Sequence, residues 1–185
     1  MPEAGNEQQG LILDPNTDPA LAPTGLRFIS IEHEGCSQKS EAEADRIRPL
    51  YQSLLDQQWT NRKGDTQRIG IRDILVVSPY NMQVNLLRSR LPEAAQVGTV
   101  DKFQGQEAAV VLISMATSSG DDLPRQIEFL YSRNRLNVAI SRAHCLSVIV
   151  ASPRLLETSC STIEQMRLVN TLCWTKDFAD GLPLI

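Results

Sequence analysis

Apolar positions recur along the chain with two spacings, one suited to strands and one to helices. Leu26 to Glu32, LRFISIE, alternates and predicts a strand. Ser40 and Glu43 form an S-x-x-E capping box, opening a helix whose apolar stripe is Ala44, Ile47, Tyr51 and Leu54. Pro49 should kink or restart that helix, because it has no N–H to donate. Ile71 to Ser78 reads as a buried strand ending at Pro79-Tyr80, and Met82 to Leu91 as a helix with Val84, Leu87 and Leu91 inward. Val97 to Ser114, VGTVDKFQGQEAAVVLIS, runs from a short strand through a polar turn into a second strand. That turn holds Asp101, Gln104, Gly105, Gln106 and Glu107, so polar groups should gather where strands meet.

In Arg135 to Arg142, RLNVAISR, Leu136, Ile140 and Ala143 fall at i, i+4 and i+7, with Arg135 and Arg142 on another face. Cys145 to Ala151 is a further strand, after which Ser152 caps a short helix that starts with Pro153. Ile163, Met166, Val169 and Leu172 space a last helix. Strands alternating with helices predict an α/β fold, a mainly parallel sheet covered by helices on both faces.

Residues 1–25 carry Pro15, Pro19 and Pro23 at a spacing that discourages helix and ladder alike, and read as an extended arm or connector. Residues 26–176 form the expected domain and 177–185 a tail, with Asp180-Gly181 and Pro183 marking a frayed end. Thr60 to Arg68 is a polar loop whose Arg62, Lys63 and Arg68 could touch phosphates or simply be solvated, and Ser118 to Asp122 before Pro124 is a flexible loop.

The 185 residues suffice for one core without a staple. Cys36, Cys145, Cys160 and Cys173 make no C-x-x-C pair, and His33 and His144 are the two histidines, so no metal cluster or disulfide framework is expected. A net charge of −4 excludes a protein coated in basic surface, so any nucleic-acid contact must be local. With neither a basic, apolar leader nor a membrane-length apolar run, a reduced, cytoplasmic setting is the expectation.

TVDKFQGQE and RLNVAISRA, in this order and each joined to an apolar strand, resemble motifs V and VI of superfamily 1 helicases. The branch is that of the nonsense-mediated-decay RNA helicases and replication helicase-nucleases. Ile74 to Leu87, ILVVSPYNMQVNLL, resembles motif IV, and the resemblance covers roughly residues 26 to 156. It implies a RecA-like three-layer α/β/α fold.

By the same resemblance Arg142 is the arginine finger that meets γ-phosphate charge, the alternative being a surface arginine paired with a carboxylate. Glu107 would accept hydrogen bonds from the nucleotide ribose, or else merely solvate its turn. Gly105 would let the backbone turn tightly beside a ligand. Pro79, Tyr80, Gln83, Thr99 and Val100 would lie on the nucleic-acid path.

The chain has no G-x-x-x-x-G-K-[ST] loop, no strand ending in paired acids for Mg²⁺, and no Gln-Tyr-Arg-Met-His-Pro motif. It is therefore expected to be most of the second RecA-like domain of a larger ATP-dependent helicase. Its partners would be a first RecA-like domain of the same protein and a single nucleic-acid strand, DNA ahead of RNA. ATP and Mg²⁺ would be used by the whole protein, with neither bound and no turnover in this piece alone. The rival reading is a RecA-like binding or regulatory module that does not hydrolyse ATP.

Overall fold

The computed structural model describes residues 9–103, 105–122, 130 and 133–181. Gln104, Pro124 and Pro183 lie outside them. The core is a five-stranded, wholly parallel sheet in the order β2-β8-β7-β5-β6. Its strands are β2 (Gly25–Ser30), β5 (Ile74–Val77), β6 (Gln96–Gly98), β7 (Ala108–Ser114) and β8 (Ala143–Ala151). β7 and β5 are buried along their whole length, as internal strands covered on both faces must be.

The period-two alternation divides the sheet between two cores. Ile74, Val76, Val110, Leu112, Leu146 and Val148 face α1 (Glu41–Leu54) and α2 (Asn81–Arg90). Leu75, Val77, Val111, Ile113 and Ile149 face α3 (Arg133–Ile140) and α4 (Ile163–Ala179). The expected three-layer α/β/α arrangement is therefore present.

α1 buries Ala44, Ile47, Leu50, Tyr51 and Leu54 completely, and runs through Pro49 without restarting. Ser40 caps it by accepting from the Glu43 N–H, but the reciprocal half of the capping box is missing. The Ser40 N–H donates instead to Gln83 Oε1 at 2.8 Å, while the Glu43 carboxylate turns inward.

The structure departs from the sequence reading in several places. Gly10–Ile12 is a strand, β1, despite the prolines that follow it. It pairs antiparallel with β3 (Gln58–Thr60), which pairs with β4 (Thr66–Arg68), so the polar loop is the tip of a hairpin. Leu11, Leu21 and Ala22 are buried against the main core. α3 stops at Ile140, which puts Arg142 on the turn after the helix and Ala143 in β8; the helix packs through Leu136 and Ala139.

Ser118 and Ser119 are buried, not part of an exposed loop. α4 seats Leu168, Val169 and Leu172, while Ile163 and Met166 point to solvent. It continues into the expected tail and closes at Gly181, whose φ of +72° and N–H bond to Phe178 O form a glycine C-terminal turn. Among the described residues no helix is long and apolar enough to cross a membrane.

Candidate functional site

The segment from Thr99 to Glu107 governs the site because of where it starts and ends. Gly98, at the end of β6, and Ile113, near the end of β7, both lie level with Val77 of β5. β7 begins at Ala108, five residues earlier, so the connection runs back along the sheet by about 17 Å. Phe103 anchors it in the core shared with α3 and α4. The polar residues thus do not collect at one place: Thr99 and Val100 stay at the C-terminal edge of the strands, and Glu107 reaches the N-terminal edge.

At the C-terminal edge, Pro79, Tyr80, Thr99 and Val100 line one cavity of about 310 Å³ together with Asp101 and Arg135. Asp101 and Arg135 approach to 3.8 Å and link the crossing segment to α3. Space at Gly98 is tight, since a Cβ there would lie 3.2 Å from the Phe103 ring and would displace the Lys102 side chain. The first turn of α2 opens into the same cavity through Asn81 and Met82, with no side-chain cap on its N–H groups.

Gln83 is not in this group. Its side chain is fully buried, accepting from Ser40 N–H and donating to Ser40 O and Ser114 Oγ at 3.0 and 2.9 Å. An amide so occupied holds α1, α2 and β7 together and has nothing left for a strand outside.

Beside Gln83 lies a polar cluster of which sequence reasoning had only the S-x-x-E signature. Glu43 Oε2 accepts from Ser114 Oγ at 2.6 Å and Ala116 N–H at 2.9 Å, and Oε1 from His33 Nε2 at 2.9 Å. His33 Nδ1 reaches Ser118 Oγ at 2.8 Å, and Ser118 Oγ accepts from Cys36 N–H. Every polar atom of the buried carboxylate is thereby satisfied.

At the N-terminal edge, Glu107 and Arg142 become neighbours: Ala108 N–H donates to Arg142 O at 3.0 Å. Arg142 sits on the turn closing α3, and its Nε is buried without a hydrogen-bond partner. Among the described residues it makes no ion pair, so the arginine is not committed to a carboxylate. Gly105 adopts φ +80° with open space where a Cβ would lie. That left-handed turn delivers Glu107 to the edge.

Glu107 Oε2 lies 3.5 Å from His144 Nε2, and the His144 ring stacks on Trp59 of β3, centroids 5.8 Å apart and 5° from parallel. Neither His144 nor Trp59 was picked out in the sequence. The available signal was Asn61 and Gly64 between two short strand-like runs, which marks a hairpin and would have brought Trp59 to notice.

A profile of the AAA domain family matches residues 22–154. The chain is 43% identical over 74 residues to the DNA polymerase alpha-associated DNA helicase A of Schizosaccharomyces pombe, covering 38% of this chain and 11% of that protein. It is 36% identical over 98 residues to the mouse RNA helicase Mov10l1, covering 49% and 8%. The match to the mouse DNA-binding protein SMUBP-2 is 32% over 124 residues, covering 64% and 11%. The chain spans between 8% and 13% of the length of these and related proteins. The matched stretch contains all three motifs and the whole five-stranded sheet, and the chain belongs to the AAA domain family within the superfamily 1 helicases, in the branch of the nonsense-mediated-decay RNA helicases and replication helicase-nucleases.

Proposed function

We propose that this chain is the second RecA-like motor domain of an ATP-dependent nucleic-acid helicase, residues 26–176 forming one wall of an ATP site completed by a first domain that carries the phosphate loop. The observation that carries the reading is the segment Thr99 to Glu107, which joins the cavity at one sheet edge to Glu107 and Arg142 at the other. A displacement of either end is transmitted along one short, anchored piece of chain.

Glu107 accepts from the ribose hydroxyls, and Arg142 brings its planar fork to the γ-phosphate as the domains close. The unpartnered Nε and the absence of a competing carboxylate among the described residues support Arg142 in that role. Mg²⁺, when bound with ATP, would neutralise phosphate charge; its protein ligands are assigned to the first domain, since among the described residues this edge offers no carboxylate pair.

Pro79, Tyr80, Thr99 and Val100 form the single-strand path, with the uncapped first turn of α2 suited to a backbone phosphate. Gln83 braces this path from inside. The relatives' names include DNA and RNA helicases, so the proposal is for a single strand of either kind.

The test is Arg142→Ala in a protein joining this chain to its first motor domain. Strand-stimulated ATP turnover should fall by roughly 10³ to 10⁵ fold while the fold and strand binding persist. Near-normal turnover would remove Arg142 from the reaction, whereas no turnover in the unaltered joined protein would favour the non-hydrolysing reading.

A further inference from the structure

The hairpin β3–β4 lies outside the segments that resemble helicase motifs, yet it closes a cavity of about 470 Å³ over Glu107. Trp59, Arg62 and Lys63 line it from the hairpin, and Glu107, Ser141 and His144 from the sheet edge. Pairing between β7 and β8 slips here: Ala108 lies opposite Ala143 but Val110 opposite Leu146, so three steps along β8 match two along β7. Such a bulge re-aims a side chain locally. It occurs where β8 presents His144 between the Trp59 ring and the Glu107 carboxylate.

We infer that His144, held flat against Trp59 by the hairpin, is a positioning residue that orients the Glu107 carboxylate for a ribonucleoside triphosphate and thereby sets the preference for ribose over deoxyribose. This rests on the reading of Glu107 as the ribose acceptor.

The chemistry follows from what a carboxylate can do. Glu107 is more than half exposed and makes no other ion pair among the described residues, so without a partner its rotamers are many. At 3.5 Å the His144 ring and the Glu107 carboxylate are within ion-pair reach without a formed hydrogen bond; drawn together by a bound nucleotide, with His144 Nε2–H donating to Oε2, they leave Oε1 for the ribose diol. Offset stacking on a largely buried tryptophan restrains the ring. A site built to accept from a hydroxyl discriminates against the analogue that lacks it only while its acceptor is fixed in place. Arg62 and Lys63, exposed at the hairpin turn and without ion-pair partners among the described residues, outnumber Asp65 on the hairpin side of the cavity and leave that side net positive, favourable to polyphosphate.

The experiment is a nuclear magnetic resonance titration of this chain, isotopically labelled within a protein joining it to its first motor domain, with ATP and with 2′-deoxy-ATP, each at millimolar concentration. In the unaltered protein ATP should shift the Gly105 to Glu107 amides and the His144 ring, and bind about tenfold more tightly than 2′-deoxy-ATP. His144→Leu should bring the two affinities together by weakening ATP while leaving 2′-deoxy-ATP unchanged. His144→Gln, which keeps a donor, should retain part of the preference.

Equal weakening of both nucleotides, an unchanged ratio in the Leu variant, or a Gln variant that behaves like Leu would overturn the positioning role. In each case Glu107 would still be the ribose acceptor if its amide responds to ATP. Should the Leu variant fail to fold, the unaltered protein decides: a His144 ring that shifts alike with ATP and 2′-deoxy-ATP refutes the inference. No response at Gly105 to Glu107 overturns the ribose reading itself, and this inference with it.

Discussion

Replacing Glu43 with alanine should be among the most damaging single changes in this protein, although Glu43 touches neither candidate edge. Its carboxylate accepts from Ser114 Oγ, Ala116 N–H and His33 Nε2, and the residue is fully buried. The Ala116 amide cannot turn elsewhere, being main chain held at φ +64°. His33 is fixed at its other nitrogen by Ser118. Three donors lose their acceptor at about 1–3 kcal/mol each, the Ser114 hydroxyl being free to rotate toward another, so a loss of about 4 kcal/mol is expected. A domain of this kind has about 5–15 kcal/mol in hand.

In urea, with a slope near 2 kcal/mol per molar, the unfolding midpoint should fall by about 2 M at unchanged slope. Glu43→Gln, which fits the same space and keeps one accepting oxygen, should lose roughly half as much. A Glu43→Ala midpoint within about 0.5 M of the parent, with the slope preserved, would refute the reasoning. It would mean that water reaches Ala116 and His33 once the side chain is gone.

The Arg46 guanidinium, bonded to Asp18 at 2.5 and 2.9 Å, holds the Asp18 carboxyl below its ordinary 3.8. That contribution is present above the unfolded value and is lost as pH falls through the folded one. Asp18→Asn should therefore destabilise modestly at neutral pH, by no more than about 1 kcal/mol, and flatten the acid limb of urea midpoint against pH; an unchanged acid limb would contradict it. Burial pushes the Cys145 thiol up to about 11, so Cys145 should alkylate far more slowly than Cys36 at neutral pH until denaturant is added, as peptide mass mapping would show. Binding of a single strand by this chain alone should be weak and fall steeply with salt, because few cations flank the Tyr80 cavity on a body of net charge −4. Tight binding retained at high salt in a fluorescence titration would place the contact surface elsewhere.

The sheet was legible because β5 and β7 are continuous apolar runs and β8 is apolar from Val148 to Ala151, each joined to turn residues, and α1 because its stripe is regular and fully buried. β1, β3 and β4 escaped since each is only three residues long, GLI, QWT and TQR, too short for a period-two pattern, and only their pairing makes them strands. α4 carries apolar residues all round, so periodicity alone could not choose between Ile163 and Leu168 as the inward side. S-x-x-E was read as a local device, but a long-range demand won: Ser114 and the strained Ala116 needed an acceptor, and Gln83 took over the cap's other half. Glu107 and Arg142 were found from their motifs. Their separation from Thr99 and Val100 across the sheet depends on β5 lying between β6 and β7, which no local pattern encodes.

That strand order also bears on how the protein is made. β2, the first strand of the sheet to leave the ribosome, pairs among the described residues with β8 alone, Gly25 opposite Leu146 and Ser30 opposite Ala151. Closing so wide a loop is slow. Until β8 has emerged, a nascent chain has β7 without its neighbour on one side and β2 without any, both apolar and ready to pair with another chain. Synthesis halted before Ala151 would leave a sticky intermediate, whereas release of the last strand completes the sheet in one step. The same strand begins directly after Arg142, so the proposed catalytic arginine is set in place by the event that ends the chain's vulnerability to aggregation.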